Sequence, residues 1–122
     1  MSNTIVMMPP EKTDWRIDPE RMAEEMKRRW PQAHIEWTRD SDPASAFDFE
    51  WDTEDYHVVG SFGRNGRSLF LSRSTQEDLA AMAVWFRSLV PPSQPLVVWS
   101  GSGENCALTP DMTQSDFLRD FK

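Results

Sequence analysis

Apolar residues recur at helical spacing in two stretches of this chain and alternate with polar residues through most of the rest. Met22, Met26 and Trp30 stand at i, i+4 and i+8, which predicts a helix with one apolar stripe. Asp18 precedes it as an N-cap, Pro19 takes the first helical position and Pro31 ends it. Glu24–Arg28 and Glu25–Arg29 are expected as i,i+4 ion pairs on its wet side, with Lys27, Arg28 and Arg29 near the negative end of the dipole. A second helix is predicted from the capping box Ser74-Thr-Gln-Glu77, through Leu79, Met82, Ala83, Phe86, Leu89 and Val90, to Pro91. Its other side carries Ala80, Ala81 and Val84, so the pattern expects cover on both sides. A short last helix follows, with Thr113 and Asp116 as its capping pair.

Period-two alternation marks the strands. Residues 4–8 predict a short one, closed by Pro9 and Pro10. Ala33, Ile35 and Trp37 alternate with His34, Glu36 and Thr38, and Asp40-Ser-Asp-Pro43 supplies turn chemistry. Phe47, Phe49 and Trp51 then alternate with Asp48, Glu50 and Asp52, giving a strand with an inward aromatic edge and an outward acidic one. Strands over 56–62 and 67–72 flank Asn65-Gly66, which predicts a two-residue type I′ hairpin. Its register would pair Arg64 with Arg67, Phe62 with Leu69 and Gly60 with Leu71. Leu96–Trp99 reads as a short buried strand and Gly101 to Asn105 as a loop. Successive strands with short turns predict an α+β fold: a mostly antiparallel sheet of four to six strands, two main helices packed on one face, and a short C-terminal helix.

Composition places this pattern in one domain, residues 1–122. Six Trp and seven Phe imply a core built on large rings. Cys106 is the single cysteine, which excludes an intramolecular disulfide and a multi-cysteine zinc site. The first residues lack a secretory signal's basic start and cleavage signature, and no run approaches the roughly 20 apolar residues of a membrane span. A cytoplasmic protein is expected.

Charge sharpens the picture. The net charge is −7, which disfavours nucleic acid and anionic membrane as partners. Seven of the 20 acidic residues lie between Asp40 and Asp55, with no Lys or Arg among them, so the other 13 match the 13 basic residues. The whole excess sits in one segment. On a strand, Asp48, Glu50 and Asp52 would share one face at about 6.6 Å spacing.

Catalytic and cofactor patterns fail on particular residues. An EF-hand loop counted from Asp48 would place Thr53 and Val59 where Gly and Glu are needed. A nucleophile elbow at Ser102 would need glycine where Ser100 stands. His34 and His57 fall on separate strands without metal-ligand spacing, and Cys106 would be a nucleophile only with a base supplied by one of them. No catalytic residue, metal ligand or cofactor is assigned, and an enzyme is not expected.

In size, in its single Cys106 and in the acidic run Asp40–Asp55, the chain resembles bacterial immunity proteins, the small acidic partners of secreted antibacterial effectors. The resemblance implies a non-catalytic inhibitor that covers a basic active-site surface on a toxin. The expected partner-binding residues are Asp48, Glu50, Asp52, Glu54 and Asp55, with Tyr56, Trp51 or Trp37 as an aromatic anchor. A phage-encoded inhibitor of bacterial defence shares these traits. The alternative from another class is an adaptor or structural domain, monomeric or homodimeric, that docks through the apolar second helix while the acidic face keeps it soluble.

Overall fold

The computed structural model describes residues 5–10, 12–38, 44–54, 56–101, 103 and 105–121. Strand β1 (Ile5–Met8) is followed by helix α1 (Pro19–Arg29), then by β2 (His34–Trp37), β3 (Ser45–Asp52), β4 (His57–Gly63) and β5 (Leu69–Arg73). Helix α2 (Gln76–Leu89), strands β6 (Val97–Ser100) and β7 (Asn105–Ala107), and helix α3 (Gln114–Asp120) complete the order. All seven strands form one antiparallel sheet in the order β2-β3-β4-β5-β1-β6-β7.

The α+β class matches the pattern, and the strand number corrects it: seven among the described residues, where four to six were expected. The extra strand, β7, is three residues long and follows a glycine-rich loop, so it has too little alternation to read. It forms because β6 offers an edge, pairing Val98 with Cys106.

Local expectations meet the structure with three adjustments. The Asp18 side chain accepts from the Glu20 amide at the start of α1, as an N-cap should. The ion pair recorded on its wet side is Glu25–Arg28 at 3.0 Å, because the Arg29 guanidinium lies over the Trp30 ring, 4.7 Å from its centroid. Helix α2 is capped one residue later than expected, with Thr75 accepting from the Asp78 amide. Thr113 and Asp116 do form a reciprocal capping box on α3.

The third adjustment is the β4–β5 hairpin. Phe62 pairs with Leu69 and Gly60 with Leu71, the expected register. The turn itself differs: a type I′ turn needs positive φ at both central residues, and here only Gly66 has it, at 75°. The Gly63 amide donates to the Ser68 carbonyl and the Gly66 amide to the Gly63 carbonyl, so Arg64 to Arg67 form a four-residue loop and are not strand partners. Two-residue and four-residue loops centred on the same bond keep the same register. The loop is tied down by the Ile17 amide, which donates to the Gly66 carbonyl.

Alternate residues of the sheet build the core: Phe47, Phe49 and Trp51 on β3, Phe62 on β4, Leu69 and Leu71 on β5 are each at most 3% exposed. Trp51 stacks on Trp30 at 5.0 Å between ring centroids, Trp30 meets Trp85 edge-on, and Phe62 meets Phe86 edge-on at 6.5 Å. Met22 and Met26 are fully buried, the place their helical spacing predicts. Burying each such side chain stabilises by about 1.5–3 kcal/mol. Helix α2 also contacts α3, whose Phe117 is fully buried; on the weakly polar side of α2, Ala80 is fully buried while Ala81 and Val84 are only half-buried. No helix among the described residues is long and apolar enough to cross a membrane.

Candidate acidic docking face

Sheet register assembles the site. Glu36 on β2 lies opposite Asp48 on β3, and His34 lies opposite Glu50. Across the other edge of β3, Asp48 faces Ser61, Glu50 faces Val59 and Asp52 faces His57. Because side chains alternate, the inward rings of Phe47, Phe49 and Trp51 leave Asp48, Glu50 and Asp52 together on the opposite face, where all three are exposed. Glu36 joins them as a fourth carboxylate. It had not been singled out, although its place in the His34, Glu36, Thr38 alternation carried the signal. Among the described residues, no Lys or Arg forms an ion pair with any of the four.

Among the described residues, the basic side chain paired with these carboxylates is a histidine. His57 Nδ1 lies 2.6 Å from Asp52 Oδ1, and Nε2 lies 3.1 Å from Glu50 Oε2. With a carboxylate at each nitrogen, the doubly protonated ring satisfies both contacts as donors. Hydrogen bonds that the His57 ring donates to Asp52 and then to Glu50 raise its pKa above the ordinary 6.5, against desolvation. The folded value exceeds the unfolded one, so this pair's stabilisation is complete below the unfolded pKa and fades as pH rises through the raised one. An NMR titration of the His57 ring should show a midpoint above 6.5, and Asp52→Asn should bring it down. An unchanged midpoint in Asp52→Asn would mean that the Nδ1 contact is not the cause.

The other expected partner-binding residues separate. Glu54 and Tyr56 are exposed on the turn that ends the β3–β4 hairpin, where the Thr53 amide donates to the Tyr56 carbonyl. Asp55 lies outside the described residues. Trp51 is 3% exposed and stacked between Trp30 and Phe49, so it supports the strand from beneath and offers no surface to a partner. Trp37 is half exposed on the edge strand, with its ring edge-on to Phe47 at 5.2 Å. It extends the aromatic side of the sheet.

Cys106 stands on β7, four strands from β4 and His57, about 19 Å at ordinary strand spacing, and β2 with His34 is farther still. Burial, with a smaller effect from Asp120, pushes its thiol pKa up, which disfavours the thiolate a nucleophile needs. Neither histidine reaches it. Among the described residues, no group of three His, Cys, Asp or Glu is arranged to hold a metal ion.

The acidic region has a defined floor. A cleft of about 550 Å³ runs from His34, Glu36 and Glu50 to Phe70 and Ser72, with Val59 and Ser61 between them. Following the register outward, Ser61 faces Phe70, Phe70 faces Val6 and Val6 faces Trp99. One row thus passes from carboxylates to apolar side chains on the same face. No family model, curated protein or solved structure matches this chain.

Proposed function

We propose that the chain is a non-catalytic binding protein of the immunity type, acting in the cytoplasm to neutralise an antibacterial toxin by covering its basic active-site surface. The observation that carries this reading is the set Glu36, Asp48, Glu50 and Asp52, exposed on one sheet face with, among the described residues, only His57 as a paired cation. In this reading both main helices cover the aromatic face, and the acidic face is left bare for a partner. Like charges on neighbouring strands cost folding stability, so their retention together favours a task outside folding. A rigid acidic face steers a basic partner into contact and speeds association at low salt.

Helix α2 gives less support to an adaptor reading. Ala80, Met82, Ala83 and Phe86 are fully buried, Gln76, Glu77 and Ser88 are its exposed positions, and the apolar Ala81, Val84, Trp85 and Leu89 are half-buried.

The reading expects a toxin domain to be encoded in a neighbouring open reading frame, and the test is co-expression with that domain. The wild-type chain should restore growth. Asp48→Lys, Glu50→Lys and Asp52→Lys together should remove that protection and slow association by about 100-fold at low ionic strength. The neutral set Asp48→Asn, Glu50→Gln and Asp52→Asn should fall between. Full protection by the lysine triple variant would take the acidic face out of the mechanism.

A further inference from the structure

Antiparallel sheets with one open face ordinarily alternate apolar inside and polar outside. Strands β2 and β3 follow that rule on the face that carries His34 and Asp48, and β4 follows it at His57 and Ser61, with Val59 between them as its one apolar outward residue. The neighbouring strands do not. In β1, Ile5 and Met7 are buried in the core while Val6 and Met8 point the other way, so all four residues are apolar. In β6, Val98 is buried while Val97 and Trp99 point outward. On β5, Phe70 points outward between Leu69 and Leu71. A strand apolar on both sides is the pattern of a strand covered on both sides.

These outward residues are contiguous. Val6 lies between Phe70 and Trp99 in one row, and Met8 lies beside Val97 in the next. Met8 is 37% exposed and Trp99 39%, while Val6, Phe70 and Val97 are half-buried. The face therefore has an acidic half on β2, β3 and β4 and an apolar half on β5, β1 and β6. The cleft at Ser61 and Phe70 joins them. A partner that was only basic would leave the apolar half wet, and one that was only apolar would desolvate Glu36 and Asp48, which His57 does not pair, without counter-charges, which is costly.

We infer that the occupant of this face is a basic amphipathic segment of the partner protein, with lysine or arginine side chains against Glu36, Asp48, Glu50 and Asp52 and apolar side chains over Phe70, Val6 and Trp99. This rests on the docking role proposed for the acidic half and adds the chemistry of what docks. The apolar half supplies contact area that salt does not screen, and Trp99 has the size and partial exposure of an interface anchor. The acidic half sets orientation, because reversing the segment would place its charges over Val6 and Trp99.

Two synthetic peptides of equal length and charge separate the two halves: one with lysines in its first half and leucines in its second, the other with serine at every leucine. The leucine peptide should bind at least about tenfold more tightly, a difference the size of one good apolar anchor. Its amide shift changes should extend across β5, β1 and β6. Met8→Ser with Trp99→Ser, both at exposed positions, should erase that advantage and leave the serine peptide's binding unchanged. Equal affinities, or an advantage that survives the serine pair, would overturn the amphipathic occupant while the acidic docking role stood. Binding of both peptides that survives the lysine triple variant would remove the acidic role itself. A wild-type dimer that Trp99→Ser splits in sedimentation would assign the apolar half to a second copy of this chain and overturn the inference.

Discussion

Gly60→Val should destabilise the protein by about 3 kcal/mol or more, the upper range for forcing volume into a closed core. Gly60 lies on the inner side of β4, opposite Phe49 on β3 and Leu71 on β5. A Cβ there would stand 2.3 Å from the Phe70 carbonyl oxygen and 2.4 Å from Phe49 Cζ. The ring is a side-chain end and can turn, but the carbonyl belongs to the neighbouring strand. Glycine lets the Phe49 ring lie across β4 and fill the space a side chain would take, so the sheet closes beneath the cleft on its other side. Thermal unfolding followed by circular dichroism should show a fall of roughly 10 °C or more. Phe49→Leu in the Gly60→Val background should restore only part of it, because the backbone contact remains. A Gly60→Val protein within about 1 kcal/mol of wild type would show that β3 and β5 do not approach this closely.

What could be read from the sequence follows the distance over which each feature is determined. Helix α1 and its Asp18 cap, the α3 capping box and the alternation in β3 depend on residues a few positions apart, and the pattern fixes them. The place of β1 between β5 and β6 depends on partners more than 60 residues away, which no local period encodes. The β4–β5 register was legible because Asn65 and Gly66 centre the turn, although the loop geometry was not. The same division runs through the site. Asp48, Glu50 and Asp52 come from one strand, and alternation alone puts them together. Glu36 and His57 join them only through pairing with β2 and β4. The apolar half was out of reach altogether, because Val6, Phe70 and Trp99 are brought side by side by register from three remote segments. Trp51 shows the reverse case, since the alternation that turned its carboxylate neighbours outward already required its own ring to face the core.

That placement of Trp51 has the second large consequence. Trp51→Ala should cost about 3–5 kcal/mol, a large share of a total stability near 5–15 kcal/mol. The ring stacks on Trp30 and Phe49 at 5.0 and 5.6 Å, and Trp30 in turn meets Trp85, so its loss leaves a void between two rings that each lose a stacked partner. Trp51→Phe should cost far less. It keeps most of the volume and removes an indole N–H that is buried without a hydrogen-bond partner among the described residues, a group that is itself unfavourable. An interface anchor predicts the opposite behaviour: Trp51→Ala would leave the unfolding midpoint alone and weaken partner binding. Urea unfolding and partner affinity measured on the same variant distinguish the two. In the core role, stability falls, and the remaining folded fraction binds normally, because Glu50 and Asp52 leave the strand on the other face. If Trp51→Ala unfolds at the wild-type urea concentration, the stacked rings contribute little, and the rigid backing for the acidic face must come from elsewhere in the sheet.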